Sequence, residues 1–163
     1  GVDAEEVLRY AMLLDMEYRK VNRFWTYIGD PRPYFLLLGE RRNHPTEQVH
    51  RAAFVPYNVT SGRYLLEALD SELLRNVGIA NAAEEDVRKL WETLGEPNVV
   101  ALGATANKVC FNAGLPHAFV PHPQYVRRFH SKRQKEYGDL IKTCALAGQG
   151  AYGGWPKRTV EDV

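Results

Sequence analysis

Asn98-Val-Val-Ala-Leu-Gly-Ala-Thr-Ala106 is the stretch that decides the fold. Val99 to Leu102 form a short, unbroken apolar run, which suits a strand buried on both faces of a parallel sheet. Gly103 interrupts it, and the residues from Ala104 to about Ala113 read as a helix. Strand, turn and helix in succession are the building unit of an α/β domain.

The alternation extends outward in both directions. Upstream, Glu84–Leu94 reads as a helix with its acids in the first turn; Gly95 closes it and Pro97 stands just beyond. Val77–Ala80 is another short strand, ending at Asn81. Ser61–Leu74 reads as a helix with Leu65, Leu66, Leu69 and Leu73 on one side. Tyr34–Leu38 is the first buried strand and runs into Gly39-Glu40. Downstream, His117–Val120 is a short fourth strand and Ser131–Ala145 a closing helix. The expected architecture is a three-layer α/β/α domain over residues 31–146, with a short, mostly parallel four-stranded sheet. An N-terminal helical segment, residues 1–30, would pack on it. Val7, Tyr10, Ala11, Leu14, Tyr18, Val21 and Trp25 recur there at helical spacing, and Asp30-Pro-Arg-Pro33 stops the helix. Residues 147–163, with a Gly-rich stretch at Gly148–Gly154, read as a flexible tail.

Composition narrows the function. A chain of 163 residues and 18.5 kDa suffices for one domain with a proper core. Hydrophobic content of 45% and charged content of 25% are those of an ordinary globular protein. No apolar run approaches the ~20 residues of a membrane span, and no signal-peptide pattern opens the chain, so no membrane partner is expected. Cys110 and Cys144 lack metal-ligand spacing and read as buried, reduced thiols. That suits the cytoplasm of a prokaryotic or phage-infected cell, or a nucleus; neither metal nor cofactor is expected, and the state expected is a monomer. Net charge is only +1, which argues against bulk attraction to nucleic acid. The charge is polarised, however. Between Phe119 and Lys135 lie Arg127, Arg128, Lys132, Arg133 and Lys135 with no acid among them, whereas acids gather at Asp3–Glu6 and Glu84–Asp86. Such a patch suits a phosphate backbone, although a solvated helix face has the same composition.

Polar residues recur just after the apolar strands: Glu40, Asn81 and His122. In open parallel sheets, ligands bind outside the carboxyl ends of the strands. Each residue also has a structural alternative. Glu40 could be a cap or an ion-pair partner, Asn81 a helix N-cap, and His122 a satisfied loop histidine. Their recurrence at three strand ends favours a site.

The order of motifs resembles the uracil-DNA glycosylase superfamily, most closely its bacterial and archaeal iron–sulfur branch. The matching pieces are Leu36-Leu-Leu-Gly-Glu40, Phe54-Val55 with Ser61-Gly-Arg-Tyr-Leu-Leu66, Ile79-Ala-Asn81, Val99-Val-Ala-Leu-Gly-Ala-Thr-Ala106, His122-Pro-Gln-Tyr-Val-Arg-Arg128 and Asp139-Leu140. By this resemblance Phe54 would stack on a flipped base, Asn81 would read its pairing edge, and Gly39 would line the base pocket. His122 would stabilise negative charge on the departing base, and the Glu40 loop would hold the attacking water. Outside the resemblance, Asn43 and His44 are further candidates for activating that water, from their place beside Glu40. Gln124, Tyr125, Arg127 and Arg128 would wedge into the duplex or grip phosphates. Lys132 extends that basic stretch, and Ser61 and Gly62 could bind phosphate through backbone N–H groups. The implied activity is metal-independent base excision from DNA. Two departures bear on the substrate. The family's cluster cysteines are absent, and Arg41-Arg-Asn-His44 replaces a small Ala-Pro-Gly turn after Gly39-Glu40. A transferase or hydrolase acting on a hypermodified base, and a non-catalytic DNA-binding relative, are therefore the alternatives.

Overall fold

The computed structural model describes residues 24, 26–40, 61–148 and 150–151. In chain order the elements are β1 (Ile28–Gly29), β2 (Phe35–Gly39), α1 (Ser61–Ala68), α2 (Ser71–Arg75), β3 (Val77–Asn81), α3 (Val87–Thr93), β4 (Asn98–Leu102), α4 (Ala104–Asn112), β5 (Ala118–Val120), α5 (Pro123–Phe129), α6 (Gln134–Ala147) and β6 (Gly150–Ala151). Short 3-10 turns at Ala82–Glu84 and Ser131–Arg133 lead into α3 and α6.

One sheet runs through the domain in the order β1-β3-β2-β4-β5-β6. β3, β2, β4, β5 and β6 are mutually parallel, and β1 is antiparallel to β3. The central strands are continuous apolar runs because both faces are covered: Leu36, Leu37, Leu38, Val99, Val100, Ala101 and Leu102 have no exposed surface. The step from β2 to β3 and the step from β4 to β5 run in opposite directions across the sheet. Right-handed crossovers therefore place α1 and α4 on opposite faces, giving the three-layer α/β/α arrangement expected. α5 and α6 pack beside α1, and α6 lies over β4 and β5. The α1–α6 contact is close enough to need a glycine, since a Cβ at Gly138 would overlap the carbonyl oxygen of Ala68.

Several expectations need correction. The sheet has six strands, not four. The two additions are two-residue edges, set by pairing with β3 and β5 rather than by any local apolar run. Residues 150–151 thus belong to the sheet and not to a loose tail. The helix expected over Ser61–Leu74 is two helices, because the Asp70 side chain accepts the Leu73 N–H at 2.8 Å and starts a new one. Likewise Asp86 caps α3 through the Lys89 N–H, so that helix starts later than its acids suggest. The segment after His122, to which no element was assigned, is helix α5, with proline in its first turn. The helix expected near residues 4–25 and the tail beyond 151 lie outside the described residues.

Candidate functional site

The strand order places four chain positions along the carboxyl edge of the sheet: Asn81 at the end of β3, Glu40 after β2, Gly103 after β4 and His122 after β5. Because the connections from β2 and β4 leave in opposite directions, the topological switch point of the sheet, where open α/β domains hold their ligands in a crevice, falls between Glu40 and Gly103.

Gly103 is the point on which the site converges. It is buried, with φ at +102°, and caps α4. A Cβ there would lie 2.8 Å from Glu40 Oε1 and 3.0 Å from His122 Cβ. Glu40 and His122, far apart in sequence, therefore bring their side chains to the same spot. The Gly103 N–H donates to the Val120 carbonyl at 2.9 Å, locking the ends of β4 and β5 together. As the cap of α4, Gly103 also puts the Glu40 carboxylate beside a helix N-terminus, whose partial positive charge favours an anion. Gly103 was not among the residues singled out, though the Leu102-Gly103 junction between strand and helix was its signal.

His122 is the N-cap of α5, and its Nδ1 accepts the Gln124 N–H at 3.0 Å. An accepting Nδ1 carries no proton, so in the neutral ring the proton sits on Nε2. Burial lowers the His122 pKa from its ordinary 6.5, and the Glu40 carboxylate opposes that shift with a smaller effect. The ring is thus a neutral Nε2–H donor at neutral pH.

Asn81 is placed differently. It is buried, level with Gly39 in the β2–β3 register, and its N–H donates to Thr26 Oγ1 at 2.9 Å. Its Nδ2 donates to Glu84 Oε1 at 3.1 Å, while Glu85 Oε2 accepts both the N–H and the hydroxyl of Thr26. The amide donor is therefore turned to Glu84. Asn81 sits at the N-cap position of the turn that follows, without making a side-chain cap bond. The Glu40 carbonyl accepts the Ala83 N–H at 3.0 Å, which ties this network to the end of β2.

The remaining candidates divide by element. Gly39 is buried at the end of β2, and Ser61 and Gly62 open α1, with Gly62 buried. Gln124, Tyr125, Arg127 and Arg128 all ride on α5, where Gln124 Oε1 accepts from Arg127 Nε and Nη2 at 3.3 and 3.2 Å. Tyr125 and Phe129 are 44% and 39% exposed, with ring centroids 5.2 Å apart, so α5 presents an aromatic pair. Arg128 and Lys132 are exposed beside it. Phe129 was missed because its four-residue spacing from Tyr125 has meaning only once this segment is known to be helical. Asn43, His44 and Phe54 lie outside the described residues. Among the described residues no three His, Cys, Asp or Glu side chains cluster as metal ligands, and no helix is long and apolar enough to cross a membrane.

The fold and this edge define an α/β domain with polar side chains gathered at the switch point of its sheet. No protein-family model matches the chain, and no curated protein sequence matches it.

Proposed function

We propose that the protein flips a modified base out of DNA and hydrolyses its N-glycosidic bond. The observation that carries this reading is the convergence of a carboxylate and a neutral, oriented imidazole at Gly103. Glycosidic cleavage leaves positive character on the sugar and negative charge on the departing base. The Nε2–H of His122 would donate to that base, and the bond would strengthen as the charge grows. The Glu40 carboxylate would hold the attacking water and balance the charge on the sugar. A base inside a duplex is out of reach of both, so it must first be extruded at a cost of a few kcal/mol. The exposed Tyr125–Phe129 pair and the cations Arg128 and Lys132 suit an unstacked base and the adjoining phosphates.

The test is a base-release screen on single- and double-stranded oligonucleotides carrying uracil, hypoxanthine and bulkier modified bases. Alkaline nicking would score cleavage and mass spectrometry the released base. Wild type is expected to release at least one of these bases. His122→Ala should cut the single-turnover rate by about 10²–10³-fold, the usual loss on removing one such donor. No release from any substrate, with DNA binding retained, would leave a binding module. An altered base still attached to the sugar would instead point to a transferase or hydrolase acting on the modification.

A further inference from the structure

Tyr137, on α6, is fully buried and belongs to none of the motifs that mark the carboxyl edge of the sheet. Its hydroxyl donates a 2.6 Å hydrogen bond to the carbonyl oxygen of Pro121. Pro121 lies beyond the last residue of β5, and its carbonyl belongs to the peptide plane that enters His122. Fixing that plane fixes the backbone at the N-cap of α5, where His122 holds φ −65° and ψ 141°. The ring orientation depends on this backbone, because the Nδ1 bond to the Gln124 N–H closes only when the cap is in place. A buried hydroxyl without a partner is costly, so the Tyr137 oxygen and the Pro121 carbonyl satisfy each other. Burial also holds the Tyr137 hydroxyl protonated, with its pKa well above the ordinary 10.0, so the donor persists across the working pH range. The position of Tyr137 is itself secured from α1: its ring lies 6.4 Å from that of Tyr64, and Gln134 Nε2 donates to the Tyr64 carbonyl.

We infer that Tyr137 is a positioning residue for His122, its buried hydroxyl holding the Pro121 carbonyl so that the imidazole keeps the orientation base release requires. The inference rests on the role of His122 proposed above. It has a readout independent of that role, because the tautomer of His122 reports the cap directly.

The experiment compares wild type with Tyr137→Phe and Tyr64→Phe. Tyr64 is a matched control, since its hydroxyl donates to the Ser131 carbonyl at 3.2 Å in the same layer without touching the His122 cap. Long-range nitrogen–proton NMR would read the His122 tautomer, and single-turnover kinetics on the oligonucleotide that wild type cleaves would read the chemistry. Tyr137→Phe should move population from the Nε2–H tautomer toward the other and slow base release by roughly tenfold, as expected for a misplaced catalytic group, with DNA affinity unchanged. Tyr64→Phe should change neither. A wild-type tautomer in Tyr137→Phe, or equal changes in both variants, would overturn the inference. If wild type releases no base, the excision reading fails while the tautomer comparison still decides the role of Tyr137. Should Tyr137→Phe not fold, 3-fluorotyrosine at 137 strengthens the same donor within the same packing. The His122 ring nitrogen shifts should then move with fluorination, and unmoved shifts would overturn the inference.

Discussion

The two halves of the sheet's carboxyl edge use polar side chains to different ends. On the β4–β5 side, His122 and Glu40 meet at a glycine, and the bond from the Gln124 N–H to Nδ1 orients the imidazole. On the β3 side, Asn81, Thr26, Glu84 and Glu85 bond to one another. The first arrangement gathers a carboxylate and an imidazole at one point, the pair on which the proposed reaction rests. The second fastens the edge strand β1 and the segment before it to the sheet. A polar residue at a strand end is therefore not yet a functional one; what matters is where its hydrogen bonds go.

The largest expected effect comes from filling the meeting point. Gly103→Val would place side-chain carbon at 2.8 Å from Glu40 Oε1 and force a β-branched residue to φ +102°. The backbone strain should cost about 1–3 kcal/mol in urea unfolding. Displacing both functional groups should reduce base release by about 10²-fold or more. A folded Gly103→Val protein with wild-type kinetics would mean that the β4–β5 half is not the reactive one.

Cutting the network on the other half should have the opposite profile. Thr26→Val keeps the shape of the side chain but removes the hydroxyl that accepts the buried Asn81 N–H. Leaving that donor unpaired should cost about 1–3 kcal/mol of stability. The single-turnover rate should stay within about twofold of wild type, the change expected when no group touching the reacting atoms moves. A rate loss as large as that of Gly103→Val would erase the distinction between the halves.

The contrast also explains which parts were legible in the sequence. The four long strands could be read because burial on both faces demands unbroken apolar runs, as in Leu36–Leu38 and Val99–Leu102. Glu40 and His122 could be found as polar residues ending such runs. Gly103 was harder, because its importance lies in the side chains it must not touch, and these come from residues distant in sequence. The partners of Asn81 and Thr26 are equally non-local: Thr26 bonds to Asn81 and to Glu85 across 55 and 59 residues. β1 and β6, two residues each, have no periodicity of their own. α5 escaped because Pro123 and a run of basic residues look like a turn until His122 is recognised as its cap.

The smallest expected effect is also the most specific, because it concerns the charge between Glu40 and His122. Burial disfavours the imidazolium, so the folded protein takes up this proton less readily than the unfolded chain, whose histidine keeps the ordinary value of 6.5. The unfolded state therefore binds more protons as the pH drops. The stability contributed by the neutral ring is full above 6.5 and declines as the pH falls through that value, levelling off below the lowered folded pKa. Protonation would also place a hydrogen on Nδ1 and break the bond from Gln124, so the rate of base release should be flat above 6.5 and fall on the acid side. His122→Asn should lose this limb of the stability profile. Glu40→Gln offers the finer test. The carboxylate raises the His122 pKa against the effect of burial, so removing its charge should push the titration of the ring to still lower pH. NMR titration of the ring protons in the two proteins would measure that displacement. A shift upward, or none, would mean that Glu40 does not face the imidazole in solution, and the β4–β5 half would then lack the paired groups that set it apart from the Asn81 network.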